Sequence, residues 1–481
     1  MAKVLYLASE MVPYCKTGGL ADVAGAFPKA LKNMGHDVKT VLPYYHFIKE
    51  EMKPYEKFHI HISSQAVDGM FLRNNSNDGV DRYFVYNPYY YDRNGIYGDD
   101  HGDFGDNDER FTYFCEAALL LCKIQNWQPD IVHLNDWQTG ILASILKLKY
   151  ADDPFFKNTK IVFTIHNLAY QGYVASDAYK KFDLPPSIMN FDGMEINGAA
   201  SLLKAGLQYS DFITTVSPTY AKEIQTTEFG CGMEDVLRAN NYRLAGILNG
   251  VDDDEWNPLT DQFLGEYQFG PENLEIKESL KRKFLSELGL PYWSHVPLIG
   301  MVCRFTPQKG IQLIEAALEE ILHQGTQVVI LGSGDSNFAS FLKNLEQKYP
   351  KQLKTFVTFS NELSHQIEAA SDYFLMPSRY EPCGLNQMYS LKYGTIPIVY
   401  NTGGLADTVF DCDKHPDRGN GYVFYEYNRG SFMDAVKRAL GLYQYKDIFK
   451  IVRQRGMTTD FSWYKSAETY GKLYDYLCFG H

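Results

Sequence analysis

The hexapeptide Thr-Gly-Gly-Leu-Ala-Asp occurs twice in this chain of 481 residues, at Thr17–Asp22 and again at Thr402–Asp407. Each copy follows a short apolar run that reads as a strand and precedes a stretch with helical spacing. Gly-Gly before a helix is common α/β punctuation, but six identical residues in matching contexts imply more. They predict two similar α/β domains, each offering a helix N-terminus to one shared cleft.

The second copy sits in the more informative surroundings. Tyr373–Met376 is a short buried strand closed by Pro377, and Glu381-Pro382 is expected to open a helix, because proline suits the first helical position and a carboxylate complements the dipole. That would aim the amides near Gly384, Leu385 and Asn386 out of the sheet's carboxyl edge, where open α/β sheets bind ligands. A further strand, Ile396–Tyr400, leads to Thr402-Gly403-Gly404, where a ligand could approach backbone closely. Two such loops suit a small anionic or hydroxyl-rich ligand.

The first copy closes a strand over Lys3–Ala8 and begins a helix over Ala21–Met34, with a strand over Asp37–Leu42 next. No G-x-G-x-x-G follows the first strand, so a nicotinamide cofactor is not expected. Lys16, just ahead of Thr17-Gly18-Gly19, is placed to hold a diphosphate. Further strands end at Asn135-Asp136-Trp137, at His166-Asn167 and at Ser217-Pro218, on the same edge as Lys16. A lone histidine is more often structural, but His166 at a strand end followed by Asn-Leu-Ala-Tyr-Gln-Gly favours a site. Between about residues 46 and 107 the pattern is irregular. Its Tyr-rich stretch, Asn87 to Gly98, reads as an interaction surface or a lid in which Tyr97 could stack on a polysaccharide. Most of the 36 Tyr and 30 Phe are expected to fill cores.

A crossover is expected near Ile247–Asp252, giving domains over 1–246 and 247–459 and a helical segment over 460–481 that returns to brace the first. The second series runs through Val296–Cys303, then Arg304 to Gly310, Gln327–Leu331 ending at Gly332-Ser333-Gly334-Asp335, and Thr355–Phe359. Arg304 and Lys309 flank one glycine-ended loop, a cage for two phosphates.

Bulk properties narrow the function. A net charge of −13 argues against nucleic acid or an anionic membrane as partner, so a positive site must be local. The eight cysteines show neither CxxC pairs nor metal-ligand spacing, which suits reduced thiols in a cytoplasm. No run of about 18 apolar residues reads as a membrane span, and the apolar start is too short for a signal peptide. Cys15 and Cys383 flank site loops, so thiol oxidation could inhibit, although buried structural cysteine is the commoner case.

With these residues in view, the sequence resembles a glycogen (starch) synthase of the bacterial and plant type, essentially end to end. The resemblance rests on Lys16-Thr-Gly-Gly-Leu, His166-Asn-Leu-Ala-Tyr-Gln-Gly, Arg304 with Lys309, Ser378-Arg-Tyr-Glu-Pro-Cys-Gly-Leu-Asn-Gln, and Thr402-Gly-Gly-Leu-Ala-Asp-Thr. It implies an α/β fold of the GT-B type, two Rossmann-like domains facing each other across a deep cleft, the first on the acceptor side and the second on the nucleotide-sugar side. It implies retaining transfer of glucose from ADP-glucose to the nonreducing end of an α-1,4-glucan, with no cofactor and no metal. Arg304 and Lys309 would then hold the diphosphate, Lys16 the same diphosphate or the glucose, Glu381 the sugar hydroxyls and the oxocarbenium charge, and His166 would sit beside the anomeric carbon. Asp136 and Asn249 would lie near the glucose or acceptor, and Phe359 would stack on adenine. Gly18, Gly19, Asp22, Tyr97, Asn167, Gly332, Cys383, Gly384, Leu385, Thr402, Gly403 and Gly404 complete the implied substrate-binding set. Many related transferases carry a second glutamate eight positions after the first, where this chain has Tyr389. Glu381 would therefore act alone, which leaves no covalent nucleophile and favours a front-face mechanism.

Two other readings compete. A retaining transferase using UDP-glucose and a small acceptor would have less reason to carry the Tyr-rich insertion. A catalytically dead glucan-binding protein would have lost Lys16, Arg304, Lys309 or Glu381, and all four are present.

Overall fold

A computed structural model describes residues 1–75, 78–99 and 101–480. Positions 76, 77 and 100 of the insertion and the terminal residue of the 460–481 segment lie outside these. The chain divides into two compact units, Met1–Gly250 with Trp463–His481, and Val251–Ser462.

Unit one is built on a nine-stranded sheet among the described residues. Its strands are β1 (Lys3–Leu7), β2 (Asp37–Pro43), β3 (Lys53–Ile62), β4 (Gln65–Asn75), β5 (Asp81–Tyr86), β6 (Ile131–Asn135), β7 (Lys160–Ile165), β8 (Phe212–Thr215) and β9 (Leu244–Gly246). They lie in the order β9-β8-β7-β6-β1-β2-β5-β4-β3. Pairing is parallel from β9 to β5, while β3 and β4 form an antiparallel hairpin on the β5 edge. That hairpin lies inside the segment read as irregular. Its two-residue turn uses Ser63 and Ser64 at φ 53° and 64°, a conformation that sequence usually announces with Asn-Gly or Asp-Gly.

The Tyr-rich stretch is packed down rather than open. Tyr90 and Tyr91 are buried and Tyr89 is exposed. The Tyr90 hydroxyl donates to Glu109 at 2.6 Å and that of Tyr91 to the Arg110 carbonyl at 2.8 Å. Arg110, fully buried, donates back to the carbonyls of Tyr90 and Ile96. One guanidinium thus satisfies backbone groups that a buried loop would otherwise leave unpaired.

The first glycine-headed helix, α1 (Gly19–Asn33), buries Leu20, Val23, Ala24, Phe27 and Leu31, a stripe at helical spacing. The last helix, Trp463–Phe479, belongs to unit one and packs on α1. Phe27 meets Tyr470 and Trp463 at ring separations of 4.7 and 5.5 Å, and Tyr474 hydrogen-bonds His133 Nδ1 at 2.6 Å.

Unit two carries a six-stranded sheet, all parallel. It comprises β10 (Leu298–Phe305), β11 (Gln327–Gly334), β12 (Leu353–Val357), β13 (Tyr373–Met376), β14 (Ile396–Tyr400) and β15 (Tyr422–Phe424), in the order β12-β11-β10-β13-β14-β15. Alternate residues feed two cores: Ile299, Met301, Val328 and Ile330 on one face, Leu298, Val329 and Leu331 on the other. This is the two-faced burial expected when helices cover both sides of a parallel sheet. The helix Ile311–His323 closes one face through Ile314, Leu318 and Ile321. Truncating such a residue to Ala would cost about 2–5 kcal/mol.

The helix expected to open at Glu381-Pro382 instead begins at Asn386 and ends at Lys392. Gly384 takes φ +72°, and the carbonyls of Glu381 and Pro382 accept the Gly404 N–H, each at 3.1 Å. With those carbonyls engaged elsewhere, residues 381–385 form a turn and not a first helical turn. The strand read over Thr355–Phe359 lies at Leu353–Val357, leaving Phe359 beyond its end.

Candidate active site

In both sheets the order reverses beside the first strand of the series. β1 pairs with β2 on one side and β6 on the other, and β10 pairs with β11 and β13. The carboxyl ends flanking such a switch point diverge and leave a crevice where ligands bind. In each unit some of the sequence-selected residues lie at this point, Lys16 and Asp136 in unit one and Arg304, Lys309 and Glu381 in unit two, while Asn249 and Phe359 follow strands farther along each sheet.

In unit one, β1 runs on through Ser9 and Glu10 to the Lys16–Gly18 loop. Lys16 Nζ pairs with Asp22 Oδ1 at 2.6 Å on the first turn of α1. Glu10, 4% exposed, is the residue sequence reasoning missed. Its carboxylate accepts the Thr17 N–H, the Gly18 N–H at 3.1 Å, the Thr17 hydroxyl at 3.0 Å and the Tyr97 hydroxyl at 3.2 Å. Burial pushes its pKa up against the pull of these bonds. The amide of Gly18, a residue of the expected substrate-binding set, is therefore already occupied, as is that of Thr17. Gly19 and Leu20, the first two helical residues, have helix-start amides without a partner among the described residues. Tyr97, expected to present a stacking face, uses its hydroxyl inside the loop and packs near Phe111 and Trp137.

On the other side of the switch point, β6 ends at Asn135 and Asp136. Asp136 adopts φ +56°, a left-handed conformation that outside glycine is taken chiefly by asparagine and aspartate. There its carboxylate accepts the His166 N–H at 2.7 Å and the Asn167 N–H at 3.4 Å, tying the ends of β6 and β7 together. Desolvation raises its pKa to about 7 despite these amides, with the nearby Glu10 charge adding to the rise. His166 is held neutral, its pKa lowered to about 3 by desolvation. Its tautomer follows from its neighbours. Asn135 Nδ2 donates to the Leu7 carbonyl, so Oδ1 faces His166 Nε2 at 2.8 Å and accepts its proton, leaving Nδ1 as the bare nitrogen. Asn167 Oδ1 caps the Ala169 N–H. Asn249 lies half-buried just past β9.

In unit two, Lys309 Nζ lies 2.6 Å from Glu381 Oε2, which also accepts the Ser378 hydroxyl at 2.9 Å. The pair spans the switch point between β10 and β13. Arg304 is exposed at the end of β10. Glycines force the loops together. A Cβ on Gly310 would come within 2.0 Å of the Pro377 carbonyl, one on Gly403 within 1.9 Å of the Glu381 carbonyl, and one on Gly404 within 2.0 Å of the Cys383 carbonyl. Thr402 caps the short helix Gly403–Thr408 and is fully buried. Leu385 precedes the Asn386 helix as its cap. Gly332 lies inside β11, where a side chain would strike the Cys303 carbonyl and the Phe305 ring. Phe359 is 77% exposed, a ring with an open face. Tyr389, at the place of the second glutamate, stacks on Trp256 at 3.9 Å with planes 4° apart.

Cys15 and Cys383 are buried, and burial pushes the Cys15 thiol up to about 12. A thiol so protonated is a poor target for oxidation. Among the described residues no group of three or more His, Cys, Asp or Glu is arranged to hold a metal ion, and no helix is long and apolar enough to cross a membrane.

Residues 3–239 match the starch synthase catalytic domain family and residues 294–450 the glycosyl transferases group 1 family. The chain is 43% identical to a glycogen synthase of Koribacter versatilis over 98% of its own length and 97% of the relative's. It is 42% identical to a glycogen synthase of Syntrophotalea carbinolica, with 98% of each covered. The chain belongs to the glycogen synthase family.

It is a glycosyltransferase with the two-domain α/β fold of the GT-B type. The catalytic domain of starch synthase IV from Arabidopsis thaliana, solved with ADP and acarbose, superposes with a TM-score of 0.91 at 34% identity and 99% coverage of both chains. A sucrose-phosphate synthase from Thermosynechococcus elongatus, at 18% identity and a TM-score of 0.60, shares the fold. In this glycogen synthase family member, the segments carrying Lys16, Asp136 and His166 fall within the starch synthase match, and those carrying Arg304, Lys309 and Glu381 within the other.

Proposed function

We propose that this glycogen synthase family member transfers glucose from ADP-glucose to the nonreducing 4-hydroxyl of an α-1,4-glucan, with retention of configuration and release of ADP. The Lys309–Glu381 pair at the switch point of unit two carries the reading. Without a donor, each charge satisfies the other. A diphosphate would draw Lys309 away, with Arg304 beside it, and free Glu381 for the sugar hydroxyls and the positive charge growing at the anomeric carbon. Cations aimed at a leaving phosphate stabilise the transition state more than the ground state, each worth roughly 100- to 1000-fold in kcat.

The bond between the anomeric carbon and the β-phosphate oxygen breaks as the acceptor 4-oxygen attacks on the same face. The leaving phosphate oxygen takes the acceptor proton, so no protein nucleophile is needed, in keeping with Tyr389 being stacked on Trp256. Within unit one, neutral His166 offers its bare Nδ1 to a sugar hydroxyl. Phe359 offers its open face to adenine, in line with ADP in the starch synthase IV structure.

Nucleotide release tests the reading: ADP-glucose and UDP-glucose are compared, with and without glycogen, in the presence of a chelator. Release from ADP-glucose that requires glycogen and survives the chelator is expected. Release only from UDP-glucose, or independent of glycogen, would overturn the donor or the acceptor.

A further inference from the structure

Four donors converge on the two oxygens of Glu10: the Thr17 and Gly18 amides, the Thr17 hydroxyl and the Tyr97 hydroxyl. The residue is buried at 4% exposure and meets no lysine or arginine among the described residues. A buried carboxylate without a cation is costly, and the hydrogen bonds that it accepts as a charged group are correspondingly strong. These bonds act on one object, the loop that carries Lys16 into the start of α1.

Tyr97 is itself held in place. Its hydroxyl also meets Ser9 Oγ at 2.8 Å, its carbonyl accepts Asn107 Nδ2 at 2.8 Å and the Phe104 N–H at 3.0 Å, and the preceding carbonyl accepts Arg110 Nη1 at 2.7 Å. A continuous chain therefore runs from Arg110, on the helix that follows the aromatic insertion, through Tyr97 and Glu10 to Thr17, Gly18 and Lys16.

We propose that Glu10 is a positioning residue for the transfer reaction, fixing the Lys16-Thr17-Gly18 loop through its carboxylate, and that Tyr97 acts through Glu10. Glu10 does not touch substrate. It fills the amides of its own loop, so Lys16 and the helix start are what the loop presents outward. The aromatic insertion thereby supports the site from within. The kinetic part of this inference rests on the proposed donor chemistry, while the loop geometry does not.

Glu10→Gln is the decisive variant, because an amide of the same shape turns one of the two acceptors into a donor facing donors. Amide exchange in the whole chain, without substrate, should rise at least about tenfold at Thr17 and Gly18 in E10Q while the middle of α1 stays protected. With ADP-glucose and glycogen, kcat should fall about 100-fold, the cost of a misplaced site group, with KM for glycogen unchanged. Tyr97→Phe should lower kcat in the same direction by a smaller factor, and the double variant should be no worse than E10Q alone. Unchanged exchange at Thr17 and Gly18, or multiplying losses in the double variant, would overturn the inference. If E10Q does not fold, Y97F decides it, since wild-type exchange in Y97F would break the chain. A wild-type protein inactive on ADP-glucose would sink the proposed reaction and leave the exchange result standing.

Discussion

Lys309 and Glu381 meet at 2.6 Å although 72 positions separate them. The strands that deliver them, β10 and β13, pair directly, and both loops leave the same edge at the point where strand order reverses. Glu381 is held from three sides: Lys309 and Ser378 take its carboxylate, and the Gly404 N–H takes its carbonyl. With Lys309 drawn to a donor, Ser378 and the Gly404 N–H still hold Glu381, which leaves it little reorganisation to perform when charge develops beside it.

Lys309→Ala should separate stability from catalysis. Removing one partner of this largely buried pair should destabilise unit two by roughly 2–3 kcal/mol, below the fully buried range because Lys309 keeps some exposure. Transfer should fall by about 100- to 1000-fold in kcat. Glu381→Gln/Lys309→Ala should recover stability in urea titrations without recovering turnover. A K309A variant with normal kcat would remove Lys309 from the leaving-group site.

The two copies of the hexapeptide should respond oppositely to alanine. At Gly403, φ is +44° and a Cβ would lie 1.9 Å from the Glu381 carbonyl. Gly403→Ala should cost about 3 kcal/mol through strain and overpacking and abolish activity by displacing Glu381. At Gly18, φ is −150° and the nearest atom to a Cβ is Glu10 Oε1 at 3.9 Å. Gly18→Ala should fall within about 1 kcal/mol of wild type. Thermal melts of both variants check this.

Acid should weaken unit one through its histidines, and Asp136 should oppose them. Burial lowers His133 and His166 to about 3 in the folded state, against about 6.5 for a free imidazole. Below pH 6.5 the unfolded chain therefore binds their two protons first, and stability falls with pH. Asp136 titrates at about 7 when folded against 3.8, so between those values the folded state holds the extra proton and stability gains as pH falls. Asp136→Asn removes that offset. Its stability should drop more steeply between about pH 4.5 and 6, by an added ~1.4 kcal/mol per pH unit, read from urea titrations across that range. A parallel pair of curves would contradict the raised value at Asp136.

Tyr474→Phe should cost unit one about 1–2 kcal/mol, since His133 Nδ1 is left buried without its partner. Turnover per folded molecule should not change. A loss of kcat would mean that the last helix acts on the site as well as on the core.

Phe359→Ala should leave stability within about 0.5 kcal/mol, because the ring is exposed. KM for ADP-glucose should rise about tenfold, the worth of one aromatic stack, with KM for glycogen unmoved. An equal rise in both constants would argue against a role in holding adenine.

Local pattern was enough for the two α/β series. Short apolar runs such as Tyr373–Met376 and Ile396–Tyr400 match their strands residue for residue, because burial on both faces leaves no competing reading. The hairpin Lys53–Asn75 was not legible, since its turn rests on two serines at positive φ and tertiary pairing imposes that conformation. Nor was the start of the Asn386 helix. Pro382 favours a helix locally, but the Gly404 amide captures the carbonyls that a first turn would need.

Sequence alone determined the chemistry available at each loop, because residue type is a local property: lysines and arginine beside glycines, a histidine and an aspartate at strand ends, a glutamate before a proline. Tertiary structure decided how that chemistry is used. The same six residues became a loop locked by Glu10 in one unit and a backbone wedge behind Glu381 in the other. Nothing within Thr-Gly-Gly-Leu-Ala-Asp distinguishes the two, since the difference lies in what packs against it: a buried carboxylate from the loop after the preceding strand at Gly18, and the turn after a neighbouring strand at Gly403.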